Sequence, residues 1–121
     1  MGRVVVVGSL NYDFVVRGAR RPSAGETVRG TSFDGFVGGK GNNQALAAAR
    51  AGAETWMVGR LGRDPFGDAV LERLRASSVR CEFVTRDEDA GTGIADIFVD
   101  ERGQNSITVV PRANGRLGPS D

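Results

Sequence analysis

The chain has 121 residues, 40% hydrophobic and 26% charged, and its 16 basic and 15 acidic side chains leave a formal charge of +1. That is enough for one domain with a core, and the scattered, balanced charge argues against a nucleic-acid binder with a basic face. There is no histidine and a single cysteine, Cys81, so an intrachain disulfide, a Cys/His zinc site and a Ser-His-Asp or Cys-His catalytic device are excluded.

Val4 to Val7 is a β-branched run ending in Gly8, read as a buried strand of a parallel sheet. It is too short for a signal peptide or membrane span, so a cytoplasmic protein without a membrane partner is expected. Tyr12 to Arg17 follows, then a polar turn from Arg20 to Gly25, then a mixed, β-like stretch from Glu26 to Val37. Gly38-Gly39-Lys40-Gly41 leads into an alanine-rich helix over 42–51 with Gly52 as its stop. Thr55 to Val58 is a second buried strand, completing a βαβ crossover with an insertion before its helix. Asp64 caps a further helix with Pro65 at its first position; Phe66, Val70 and Leu74 form its buried stripe and it fades near Ser77. Cys81 to Thr85 is a short strand, and Cys81 itself reads as a small hydrophobe. Gly93 to Asp100 and Ser106 to Val110 form a β-hairpin. Leu117 to Asp121 resembles the entry to a helix with Ser120 placed to cap it, so a chain that continues is the expectation.

Three segments carry candidate chemistry. Lys40 is the only lysine, and three glycines around it at a helix start bring backbone N–H groups and a cation together, which suits an anion or a hydroxyl-rich ligand. A tight turn with a solvated Lys40 explains the same residues equally well. The segment is not a P-loop, which would need glycine where Asp34 stands and Ser or Thr in place of Gly41. Asn11 and Asp13 lie just past a buried strand, where ligands of open α/β sheets collect. They point to one side of an extended segment and suit a vicinal diol; an Asx turn is the alternative. In the hairpin, Ala95, Ile97 and Val99 share one face, while Ile94, Asp96 and Phe98 share the other.

In order along the chain, Gly8-Ser9-Leu10-Asn11-Tyr12-Asp13, Pro22-Ser23-Ala24-Gly25-Glu26-Thr27, Gly38-Gly39-Lys40-Gly41-Asn42-Asn43-Gln44-Ala45, Gly59-Arg60-Leu61-Gly62-Arg63-Asp64-Pro65-Phe66-Gly67, Thr92-Gly93-Ile94-Ala95 and Arg112-Ala113-Asn114 together resemble the ribokinase (PfkB) family of carbohydrate kinases. The Gly-Gly segment is more similar to that of ribokinases than to those of fructokinases or adenosine kinases.

The resemblance implies an α/β, ribokinase-like fold: the N-terminal part of a central, mainly parallel sheet with helices, plus a small β-sheet lid from about 12–37 and 93–110. It implies that residues 1–121 are the N-terminal portion of one kinase domain whose C-terminal nucleotide-binding part is absent here. Asn11, Asp13, Gly39, Lys40 and Asn43 would hold sugar hydroxyls, and Ala95, Ile97 and Val109 would be the apolar lid surface over the ring. ATP, Mg2+ and a monovalent cation such as K+ are implied, with their sites and the catalytic base outside this chain. The expected partner is a small-molecule sugar, with ribose first and another sugar or a nucleoside as alternatives; a non-catalytic sugar-binding module is the reading of a different class. A homodimer through the lid is a further expectation. Asp96 departs from the family pattern and points away from the sugar, where burial without a partner would cost several kcal/mol.

Overall fold

A computed structural model describes residues 2–121. The elements run β1 (Arg3–Val7), β2 (Asn11–Arg17), β3 (Ser32–Gly38), α1 (Lys40–Arg50), β4 (Glu54–Gly62), α2 (Pro65–Ala76), β5 (Arg80–Asp87), β6 (Gly93–Val99) and β7 (Asn105–Val110), followed by a 3-10 segment at Arg112–Arg116. They form two sheets: a three-stranded sheet in the order β1-β4-β5 and a four-stranded sheet in the order β3-β2-β6-β7.

The first sheet is parallel throughout, with Val4 opposite Thr55 and Val58 opposite Phe83. The β-branched run of β1 and the alanine-rich α1 make the expected βαβ crossover. The strands extend past the apolar runs that announced them, β4 reaching Gly62 and β5 reaching Asp87, because the parallel ladder continues for as long as backbone partners last. One face of this sheet packs under both helices in a core of Val6, Leu10, Leu46, Met57, Leu61, Val70, Leu71 and Leu74. Leu10, Met57, Leu61, Val70 and Leu74 are wholly enclosed, each contributing about 1.5–3 kcal/mol through burial.

Asp64 caps α2 as expected: its carboxylate accepts the Gly67 N–H at 2.8 Å. The buried stripe of α2 differs from the expected one. Val70 and Leu74 are in the core, but Leu71 joins them and Phe66 does not. Phe66 turns toward the second sheet, where it meets Tyr12 at 5.1 Å and Phe14 at 5.3 Å between ring centroids. Phe14 in turn stacks on Phe33 at 5.9 Å. Such pairs add to burial, and this aromatic cluster fastens the second sheet to α2.

That second sheet is mixed: β2 pairs antiparallel with β3 and parallel with β6, and β6–β7 is the expected hairpin. Alternation on β2 sends Asn11, Asp13 and Val15 to one face and Tyr12, Phe14 and Val16 to the other. Of the β-like stretch 26–37, only the part from Ser32 is strand. Residues 20–26 are a loop clamped by Arg20, whose guanidinium donates to both Glu26 oxygens at 2.6 and 2.8 Å. Asp96 lies on the far face of β6 and is exposed, so it needs no buried partner. Residues 119–120 form a turn, and the Gly118 N–H donates to the Asp121 carboxylate at 2.9 Å.

Candidate functional site

A cleft of about 420 Å3 opens where the two sheets meet the start of α1. Its position follows from the chain path. β1 ends at Val7, the backbone turns through Gly8-Ser9-Leu10, and β2 carries Asn11 and Asp13 up the near face of the second sheet. Gly39 precedes α1 with φ 97°, a left-handed value that strains any other residue. A Cβ there would also lie 2.7 Å from the Ser9 carbonyl. Glycine lets the helix start dock on the β1–β2 turn, and the Asn42 N–H donates to that same carbonyl at 3.1 Å. The N-terminus of α1, with its partial positive charge, therefore borders the cleft together with Lys40.

All eight residues singled out from the sequence line this one cleft: Asn11, Asp13, Gly39, Lys40 and Asn43 on the polar side, Ala95, Ile97 and Val109 on the apolar side. The register explains the apolar side. Asp13 is opposite Ala95, Ala95 is opposite Val109, and Ile97 is opposite Ile107, so these side chains form one patch beside the carboxylate. Burial pushes the Asp13 carboxyl above its ordinary value. The cleft thus pairs one acceptor-only group, Asp13, with the amides of Asn11 and Asn43, the ammonium of Lys40 and an aliphatic wall. That set matches a molecule with a hydroxylated edge and a C–H face.

Sequence reasoning missed Ser9, Ile107, Pro111 and Asn114 as cleft residues. Ile107 could have been found from its cross-strand position opposite Ile97. Asn114 stands in the Arg112-Ala113-Asn114 run that carries part of the resemblance, but its role could not be read locally, because it lies more than a hundred residues from the turn it holds. Its Oδ1 accepts the Leu10 N–H at 2.9 Å, and its Nδ2 donates to the Leu10 carbonyl at 3.0 Å and to Asn11 Oδ1 at 2.8 Å.

The segment bearing Asn114 is anchored through Asp87, whose buried carboxylate accepts from Arg60 and from Arg116, each at 2.7 Å. Those guanidiniums and the N–H groups of Ala90 and Asp89 hold the Asp87 carboxyl well below the usual carboxylate range. On the other side of the 3-10 segment, Arg112 approaches Asp64 at 3.8 Å.

A larger hollow of about 530 Å3 lies on the outer side of α2 between Asp68, Glu72, Arg75 and Arg86. It is open, and Arg86 donates to Asp68 across it at 2.8 Å, which pairs two of its charges with each other. No cluster of three His, Cys, Asp or Glu side chains that could hold a metal exists among the described residues, and no step through Mg2+ or K+ is assigned to this chain. No described helix is long and apolar enough to cross a membrane. Cys81 is half-buried with its thiol donating to the Val79 carbonyl, and burial pushes that thiol up.

Residues 1–121 match the pfkB family of carbohydrate kinases. The chain belongs to that family. It is 47% identical to the ribokinase of Bacillus subtilis over 99% of its own length and 41% of that protein's. To the mouse ribokinase it is 43% identical over 98% of its length and 36% of the relative's. Among solved structures, Giardia lamblia ribokinase superposes with a TM-score of 0.89 at 36% identity, covering 99% of this chain and 37% of that one. An Arabidopsis thaliana ribokinase complexed with ribose and ATP superposes at 0.85 with 38% identity, over 94% of this chain and 38% of that one. The fold is therefore the ribokinase-like α/β fold, and the chain spans about two fifths of the length of the relatives it matches.

Proposed function

We propose that this chain supplies the sugar-binding cleft of an ATP-dependent ribokinase, which transfers the γ-phosphoryl group of ATP to the primary hydroxyl of D-ribose. The observation that carries this reading is the cleft itself: a carboxylate, two amides and a lysine at one hydroxyl-sized edge, facing the aliphatic patch of Ala95, Ile97 and Val109. The ribokinase names of the relatives, and the ribose-bound structure that shares the fold, support it.

Phosphoryl transfer depends on positioning and charge stabilisation more than on covalent chemistry by the protein. In this reading Asp13 accepts hydrogen bonds from two neighbouring hydroxyls, while Asn11, Asn43 and Lys40 donate to sugar oxygens. The β2-β3-β6-β7 sheet acts as a lid whose aliphatic patch covers the ring and excludes water. Asp13 orients the sugar and is not the base. The base, the ATP site, Mg2+ and a monovalent cation such as K+ belong to the remainder of the kinase domain. The row Val7, Val58 and Phe83 crosses the uncovered face of the parallel sheet in register, with Val7 64% and Phe83 52% exposed. Parallel sheets are covered on both faces, which supports reading 1–121 as the N-terminal portion of a larger domain. A homodimer through the lid and a cytoplasmic location complete the proposal; exposed Phe36 on the lid's edge strand β3 favours the dimer.

The test is a coupled ADP-release assay on the intact protein with a panel of pentoses, hexoses and nucleosides. D-ribose with the highest kcat/KM supports the reading, and turnover of a nucleoside alone contradicts it. Residues 1–121 alone should release no ADP above background; ribose-dependent turnover by the isolated chain would place the catalytic base within it.

A further inference from the structure

We infer that Asn114 is a positioning residue that locks the amide of Asn11 with its NH2 group toward the cleft, making Asn11 a hydrogen-bond donor to the ligand. This rests on the sugar-binding reading of the cleft and adds the polarity of one of its groups.

The Leu10 N–H can only donate and the Leu10 carbonyl can only accept. Both are engaged by the Asn114 side chain, at 2.9 and 3.0 Å. Asn114 must therefore place Oδ1 on the N–H and Nδ2 on the carbonyl, and its amide cannot turn over without losing both bonds. The second hydrogen of Nδ2 then points at Asn11, 2.8 Å away, and only the oxygen of Asn11 can accept it. The Asn11 amide is fixed in turn, with Nδ2 left for the cleft.

The packing around the pair is close. A Cβ on Gly93 would lie 2.2 Å from Asn114 Nδ2 and 2.6 Å from Asn11 Oδ1, so glycine at 93 makes the room this amide pair occupies. Asn11 is itself buried. The backbone around Asn114 is held by the Ala113 N–H on the Gly91 carbonyl at 2.8 Å and the Asn114 N–H on the Pro111 carbonyl at 3.0 Å.

The consequence is a fixed division of labour on one strand face. Asp13 only accepts and Asn11 only donates, two residues apart. A hydroxyl set between them donates a hydrogen bond to Asp13 and accepts one from Asn11. A ligand lacking that oxygen leaves both groups unpaired, so the pair selects for a hydroxyl at one ring position.

The test uses the intact protein, with calorimetric titration of D-ribose, 2-deoxyribose and 3-deoxyribose against the wild type, Asn114→Asp and Asn114→Ala. Asn114→Asp keeps the acceptor for the Leu10 N–H but removes the donor, so the Asn11 amide turns its oxygen toward the cleft beside Asp13. The expected result is a rise in the ribose Kd of roughly tenfold or more, which shrinks toward onefold for the one deoxy sugar that lacks the selected hydroxyl. Asn114→Ala gives the same pattern with a smaller rise, and guards against an Asp variant that folds poorly. Equal weakening across all three sugars means a purely structural role and overturns the inference, as does no weakening at all. A wild type that binds no pentose overturns the sugar reading instead. Side-chain amide exchange by NMR then decides on Asn114 alone: slow for Asn114 and fast for Asn11 is expected, and the reverse overturns it.

Discussion

Gly38→Ala isolates the role of Asp13 without touching Asp13. Gly38 ends β3 beside Asn11, and a Cβ added there would lie 2.2 Å from Asp13 Oδ2 and 2.7 Å from its Cγ. Ordinary contacts need about 3.5 Å, so the carboxylate must retreat by about 1 Å or swing to another staggered rotamer. Hydrogen bonds reach only about 2.7–3.2 Å, and a shift of that size breaks those Asp13 makes to the ligand. Hydrogen bonds to a charged group are worth roughly 1.5–3 kcal/mol each. Losing one raises the ribose Kd by about 10- to 100-fold at 1.4 kcal/mol per decade. The fold should survive, because the clash is with the tip of a flexible side chain and alanine in a strand is favoured over glycine by about 0.5–1 kcal/mol. Calorimetric titration with D-ribose and a thermal melt of the intact protein check both halves. Wild-type affinity in Gly38→Ala would refute Asp13 as a ligand-holding group; lost affinity with a strongly lowered Tm would refute the claim that the clash is local.

Three more outcomes are expected. Because burial raises the Asp13 pKa and the carboxylate is the binding form, ribose affinity should fall as pH drops through that raised value, earlier than an exposed aspartate with its ordinary 3.8 would cause; an Asp13→Asn variant should show a flat profile over the same range. Glu26 is held down to about 2 by Arg20 and the Ser23 N–H, against 4.5 when free; its contribution to the 20–26 loop is complete above 4.5 and disappears as pH falls through about 2, which side-chain carboxyl NMR would follow. Asp64→Ala removes the cap of α2 and leaves the enclosed Thr92 without its partner at 2.6 Å, so unfolding in urea should show a loss of about 2–4 kcal/mol from the cap and the orphaned donors together.

The polar half of the cleft was legible because its residues sit in two short runs, 8–13 and 38–44, whose glycines and polar side chains have no use in a helix or strand interior. Alternation on β6 put Ala95 and Ile97 on one face, and the family resemblance, not the alternation, named that face together with Val109 as the surface over the ring. What could not be read is whatever depends on distant segments meeting. Asn114 belongs to a run that contributed to the family resemblance, but its reach to Leu10 shows only once the 3-10 segment is seen beside that turn. Phe66 satisfies the helical period of α2, yet the aromatic face of β2 draws it away from the core. Arg60, Asp87 and Arg116 come from three separate elements, and nothing local predicts that they converge. Strand ends were underestimated where Gly59, Gly62 and Arg86 continue a ladder that their own propensities would end.

The most direct test of the account is a backbone amide NMR titration of the intact protein with D-ribose. Saturable shifts centred on Asn11, Asp13, Gly39, Lys40, Asn43 and the Ala95–Ile97 stretch, abolished by Asp13→Ala, are the predicted result. Shifts absent at saturating ribose, or confined to the charged hollow beside α2, would contradict it.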